Sequence, residues 1–347
     1  MKACVLHEIG DLRFEEVAAP IPAKDEVLIK IKASGICGSD IPRIFTKGTY
    51  RFPTIPGHEF SGQIIDVGES VDKELVGRKA AVFPVLPCKK CEMCQIGEYA
   101  QCKYYDYFGS RCDGGFAEYI AVPVWNLVMV PDNLSYEEAA MAEPAAVAVH
   151  ALRQAGVEIG DNIAIFGAGP IGLMIGQWAQ AWGAGKVMLV DIDEGKIAFA
   201  KEMGFENVWC SRDGEPVRWI NKVTGDRGVD LAIEGAGVSS TLEQCLGCVR
   251  PFGKIVAMGN PAGDMKLSQK AYWELLRKQL KIFGTWNSSF VSLPKNDWNL
   301  AIDAMVQGRI NVKTFITHRF LLEQCNEALI MMRDRTAFFN KVMFVIE

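Results

Sequence analysis

The sequence predicts an α/β protein of two domains, and three observations carry that expectation. A chain of 347 residues is long for a single core and suggests about two domains at ~150 residues each. Its middle alternates β-prone apolar runs with helical patterns, as a doubly wound parallel sheet requires. The stretch before it, roughly the first 150 residues, is instead rich in Gly, Pro and short β-prone segments.

Taken in order, residues 27–33 (VLIKIKA) and 62–67 read as strands of the first part. Six further strands are expected at 162–168, 186–191, 207–210, 228–236, 254–260 and 280–286. Helical patterns lie between them, for example at 194–203 and 239–249, which implies right-handed crossovers. The segment after Trp286 holds a helix over 297–307, another over 322–332 and a final strand at 341–346. That is too short for a domain, so it is expected to return to the N-terminal part. No internal repeat or low-complexity segment is evident.

Composition excludes several classes. A hydrophobic content of 49% and a charged content of 23% are those of a globular protein, not a disordered one. Lys and Arg number 37 against 42 Asp and Glu, a formal charge of −5, which gives no electrostatic footprint for nucleic acid. The most apolar stretch, 162–182, is broken by Gly167, Gly169, Pro170 and Gly172, so no membrane span is expected. The N-terminal residues show no secretory signal, and a cytoplasmic protein is expected. Its 11 cysteines are then read as metal ligands, chemistry or small core residues rather than disulfides.

Gly167-Ala168-Gly169-Pro170-Ile171-Gly172 follows an apolar strand and opens an apolar helix. Glycines there allow a tight turn and close backbone approach, so a pyrophosphate can sit on the helix N-terminus. Asp191, at the end of the next strand, is placed to accept from both adenosine ribose hydroxyls and to repel a 2′-phosphate, which favours NAD over NADP. Lys196 reaches the same ribose, and Gly259 in the fifth strand run completes the expected cofactor set. An empty turn with a helix-capping Asp is the alternative.

Cys88, Cys91, Cys94 and Cys102 are spaced C-x2-C-x2-C-x7-C. Four thiolates in one short loop suit a closed tetrahedral zinc site, with an iron–sulfur cluster as the alternative. A second site is assembled from separated residues: Cys37, His58 with its neighbour Glu59, and Glu143. One thiolate, one imidazole and one carboxylate leave a position open for water or substrate, as catalytic zinc requires. Cys4, Cys112, Cys210, Cys245, Cys248 and Cys325 are read as small buried hydrophobes.

The run from Gly57-His58-Glu59 through Gly62, Gly68 and Val71 forms G-H-E-x2-G-x5-G-x2-V. It resembles the signature of the zinc-containing medium-chain alcohol dehydrogenases. The four-cysteine loop, the 115–119 run, Glu143-Pro144 and the nucleotide turn follow in that family's order. The resemblance covers essentially the whole chain. It implies a GroES-like β-rich catalytic domain from 1–152 and 287–347, with a structural-zinc lobe near 86–104, and a Rossmann NAD-binding domain from 153–286. Glu143, where other alcohol dehydrogenases of the family carry cysteine, is similar to the polyol dehydrogenase branch. The runs 37–45, 57–62, 105–111 and 113–119 resemble polyol-phosphate dehydrogenases of that branch.

The implied reaction moves a hydride from a secondary alcohol to NAD. Ser39 is expected to take the hydroxyl proton, Asp40 to orient His58, and Glu59 either to bind zinc directly or to act behind it. Two departures stand out. Pro42 occupies the position of a family histidine that ends the proton relay. Asn340 stands before Lys341 where related chains carry Gly, so Lys341 is expected outside the site. Arg43, Lys47, Tyr50 and Arg51, read as a polar loop, are candidate phosphate donors; Trp286 and Asn287 are candidate pocket residues. Strand 280–286 is expected at a sheet edge that pairs with a second copy, giving a homodimer or homotetramer. Competing readings are a zinc-free quinone or enone reductase of the same fold and a non-catalytic, zinc-stabilised nucleotide-binding protein.

Overall fold

The apolar runs of the middle of the chain form six strands, all parallel: Ile163–Phe166, Val187–Asp191, Asn207–Cys210, Val229–Glu234, Val249–Ala257 and Lys281–Gly284. In the computed structural model, which describes residues 1–347, they belong to the unit Val147–Asn287. Their spatial order is third, second, first, fourth, fifth, sixth. Every residue of Ile163–Phe166 and of Val229–Glu234 is buried, because a central strand covered by helices on both faces has no solvent side. The crossover helices Pro170–Ala181, Glu194–Glu202, Pro216–Thr224, Ser239–Cys248 and Gln269–Arg277 supply that cover. The order reverses between the first and fourth strands, the place where open α/β sheets bind ligands beyond their carboxyl ends.

The other unit comprises Met1–Ala146 and Ser288–Glu347. Its main sheet is built on the long strand Glu26–Ile36, which pairs with Glu59–Val67, with Tyr119–Pro123 and with the C-terminal strand Lys341–Val345. The segment after residue 287 therefore adds to the N-terminal sheet, and it brings a strand the sequence pattern does not show, Ile316–Leu321. Alternation along Glu26–Ile36 puts Val27, Ile29 and Ile31 in a core with Phe60, Phe116, Phe344 and Leu329. Each such fully buried side chain contributes about 1.5–3 kcal/mol. Residues 43–47, expected as loop, are a π-helical turn that buries Ile44. The hairpin Lys2–Glu8/Asp11–Glu16 is also absent from the sequence reading. No helix is long and apolar enough to cross a membrane.

Candidate active site

Strand register assembles the centre of the first unit. Cys37 directly follows Glu26–Ile36, and Glu59 begins the partner strand opposite Gly35. The Cys37 sulfur, a ring nitrogen of His58 and a carboxylate oxygen of Glu59 lie within 4.8 Å of one another. Cys37 is half-buried, whereas His58 and Glu59 are buried. A thiolate, an imidazole and a carboxylate at that separation are a donor set that fits a zinc ion.

Asp40 supports this set from a fully buried position. Its Oδ2 accepts from the Cys37 backbone N–H at 2.9 Å, and its Oδ1 lies 3.4 Å from His58 Nδ1 and 3.3 Å from Arg43 Nη1. Burial opposes a charge on His58, but Asp40 outweighs it and holds the imidazole well above its usual range. Burial likewise opposes ionisation of Asp40, yet His58 and Arg43 keep its carboxyl low. Ser39 Oγ donates to the Cys37 sulfur at 3.2 Å and accepts from Arg43 Nη1 at 3.1 Å. Arg43, expected to face substrate, is thus committed to Ser39 and Asp40.

Glu143 is buried in the first turn of the helix Ala142–Ala155, where the helix dipole favours a carboxylate. Burial, with Glu59 and Asp40 nearby, pushes its carboxyl up to about 7, against the opposing charges of His58 and Lys341. The three-residue cluster does not include it. The structure brings in two residues that sequence reasoning left out. Lys341, expected outside the site, is buried and donates to Glu59 Oε2. The reason is register: Val342 opposes Ile36, so Lys341 comes beside Cys37 and Glu59. Tyr107 packs its ring 5.5 Å from that of His58, and burial followed by the Glu143 charge raises its phenol well above its usual range. Its sequence signals are the aromatic-rich run 104–108 and its place in the 105–111 run, neither of which points to His58.

The other expected substrate residues spread out. Lys47 and Tyr50 are exposed, and Arg51 pairs with Asp113 at 3.2 Å. Trp286, in the second unit, is 57% exposed, and Asn287 takes a left-handed φ of 57°.

The four-cysteine loop closes on itself. Sulfur separations are 3.5 Å for Cys91–Cys94, 3.8 Å for Cys91–Cys102 and 3.9 Å for Cys88–Cys94. A tetrahedron with zinc–sulfur bonds of 2.3 Å has edges of about 3.8 Å, so the loop is dimensioned for one ion rather than a multi-iron cluster. Backbone N–H groups of Cys88 and Tyr104 donate to the Cys102 sulfur. Those of Cys94 and Lys103 bring the Cys91 thiol down to about 6. Among the remaining cysteines only Cys112 is half-buried rather than buried.

In the second unit, Gly167 has φ 116°, and a Cβ on Gly172 would lie 1.8 Å from the Gly167 carbonyl oxygen. Only glycines permit this turn. Gly169 caps the helix without a side-chain bond and Pro170 opens it, leaving first-turn N–H groups, including that of Ile171, without helical partners. Asp191 Oδ2 accepts from the Ala168 N–H at 2.8 Å and lies 3.4 Å from Lys196 Nζ. Asp193, not Asp191, caps the following helix. Gly259 packs against Gly237, where a Cβ would come within 2.2 Å of the Gly237 nitrogen.

Comparison with known proteins shows the family and the fold. Residues 23–132 match the alcohol dehydrogenase GroES-like domain, and residues 170–307 match the zinc-binding dehydrogenase family. The chain is 36% identical to galactitol 1-phosphate 5-dehydrogenase of Escherichia coli (strain K12), over 99% of this chain and 100% of that one. It is 35% identical to sorbitol dehydrogenase of Bacillus subtilis (strain 168), over 95% and 92% respectively. The crystal structure of galactitol-1-phosphate dehydrogenase from Escherichia coli superposes with a TM-score of 0.93, at 36% identity, over 99% of this chain and 100% of that one. A zinc-type donor set, a four-thiolate loop and a glycine-rich nucleotide turn on this fold lead to one conclusion: the chain belongs to the zinc-binding alcohol dehydrogenase family, oxidoreductases acting on CH–OH with zinc and NAD(H) as cofactors.

Proposed function

We propose that the protein oxidises a secondary alcohol of a polyol phosphate with NAD, in the manner of a galactitol-1-phosphate 5-dehydrogenase. The observation that carries the chemistry is the Cys37/His58/Glu59 cluster backed by buried Asp40. Cys37, His58 and Glu143 hold the catalytic zinc in this reading, with Glu59 at hand beside them. Cys88, Cys91, Cys94 and Cys102 hold a second, structural zinc, making two per chain. Gly167, Gly169, Pro170, Ile171 and Gly172 receive the pyrophosphate, with Asp191 and Lys196 at the ribose and Gly259 nearby. When bound, zinc supplies a Lewis acid for the substrate hydroxyl and the nicotinamide supplies the hydride acceptor.

The chain's own residues do the rest. Asp40 fixes the His58 ring through its Nδ1 side. Ser39 relays the hydroxyl proton toward the ribose side, its Oγ gaining that proton as it releases its own, and Arg43, 3.1 Å from the same oxygen, favours negative charge there. Pro42 carries no proton-accepting group, so the relay does not continue through that position. Lys341 donates to Glu59 and holds its side chain in place beside the donor set.

A second reading, an L-iditol or sorbitol dehydrogenase on unphosphorylated polyols, is favoured by the 35% identity to the Bacillus subtilis sorbitol dehydrogenase. NAD reduction measured on matched polyols with and without a terminal phosphate separates the two. A clear preference for galactitol 1-phosphate supports the first reading, and a preference for sorbitol overturns it. The protein is proposed to be cytoplasmic, and a homodimer or homotetramer. The assembly is supported by Lys281–Gly284 standing at the edge of its sheet, where Ile282 is 43% exposed.

A further inference from the structure

Arg111 is the one arginine around the first unit's site that no carboxylate claims. Arg43 is bound to Asp40 and Arg51 to Asp113. The Arg111 side chain has no acceptor in the chain, and its guanidinium instead lies 3.9 Å from the Tyr50 ring centre and 4.6 Å from that of Tyr105. Tyr50 is 71% exposed, so desolvation does not explain why it is held there; the cation over its face does. Stacking also orients the planar guanidinium while leaving its N–H donors uncommitted, the state in which a fork can grip an oxyanion.

The clamp is joined to the active centre by a ladder of rings. Tyr105 lies 6.5 Å from Tyr107, and Tyr107 lies 5.5 Å from His58. The backbone is fixed as well. Arg111 N–H donates to the Tyr107 carbonyl, and Tyr50 N–H donates to the Ser110 carbonyl. Within the same turn, Gly109 packs so tightly on Gly57 that a Cβ would come within 2.4 Å of its carbonyl oxygen. The turn carrying Arg111 therefore rests directly on the residue preceding His58.

We infer that Arg111, clamped between Tyr50 and Tyr105, receives the phosphate of the substrate and is the residue that separates phosphorylated from unphosphorylated polyols. This rests on the polyol-phosphate reading above. The test compares kcat/KM for galactitol 1-phosphate and for galactitol, on the zinc-loaded enzyme with NAD, in wild type, Arg111→Met and Arg111→Lys. Loss of hydrogen bonds to a charged group should lower the phosphorylated-to-unphosphorylated ratio about ten- to a hundredfold in Arg111→Met, chiefly through KM. Arg111→Lys should recover part of it, since the charge is kept and the fork is lost. Inorganic phosphate should compete with galactitol 1-phosphate in wild type and more weakly in Arg111→Met. An unchanged ratio in Arg111→Met, in an enzyme whose wild type prefers the phosphorylated substrate, overturns the assignment and leaves the function standing. A wild type without that preference overturns the polyol-phosphate reading, and the assignment with it.

Discussion

Lys341 donates its ammonium to the Glu59 carboxylate, and both groups are buried, at 3% and 1% exposure. Gly35 makes room for them: a Cβ there would come within 2.9 Å of Lys341 Cε and collide with Glu59 Oε2. Lys341→Met strands the carboxylate without a counter-ion, and we expect a loss of about 3–5 kcal/mol in urea unfolding of the metal-free protein. Glu59→Gln combined with Lys341→Met should recover much of it. A double-variant loss equal to the sum of the Glu59→Gln and Lys341→Met losses would show that the pair is not coupled.

Metal content separates the two zinc centres. Cys91→Ser should reduce zinc from two ions per chain to one and lower thermal stability, since four thiolates in one loop hold that segment together. Cys37→Ser should also lose one ion and abolish turnover, with NAD affinity nearly intact by titration calorimetry. Retained turnover in Cys37→Ser would refute the catalytic assignment.

Asp191 ties the glycine turn to the second strand through the Ala168 N–H and faces Lys196. Asp191→Ala should weaken NAD about tenfold by fluorescence titration and narrow the preference for NAD over NADP, because the charge that repels a 2′-phosphate is gone. An unaltered preference would place nucleotide selection elsewhere.

Asp230 links neighbouring strands of the second unit's sheet. Its Oδ2 accepts from the Asn162 N–H at 2.8 Å, and its Oδ1 accepts from Arg250 Nε at 2.5 Å. Burial works against its charge, but the Asn162 N–H and Arg250 prevail and its carboxyl is lowered. A lowered carboxyl stabilises the fold above its unfolded value, and that contribution is lost as pH falls through its folded value. Thermal melting from pH 5 to pH 2 should therefore show a decline that is shallower in Asp230→Asn. At pH 7 that variant should be about 1–2 kcal/mol less stable, allowing for partial solvation.

Legibility followed sequence distance. Cys88, Cys91, Cys94 and Cys102 lie close together along the chain, so spacing alone implies a site, and the structure draws their sulfurs together. The glycine turn is contiguous and is legible for the same reason. The six parallel strands were readable because each is a short apolar run between helical patterns. Ile316–Leu321 was not: only Ile316 of that strand is buried, and Thr317, His318 and Arg319 interrupt the apolar pattern. Arg43 was readable as a site residue but not in its role. Its i, i+3 partner Asp40 becomes decisive only once burial removes the competing water.

The amino-acid order by itself determined the metal loop, the nucleotide turn and the parallel sheet, since each depends on neighbours in the chain. Tertiary structure alone decided that Lys341 meets Glu59, 282 positions away, and that Tyr107 stands by His58. Strand side chains alternate faces with a period of two, so a one-residue change of register at Val342 and Ile36 would turn Lys341 out of the site. Nothing local to Lys341 records which register the sheet adopts.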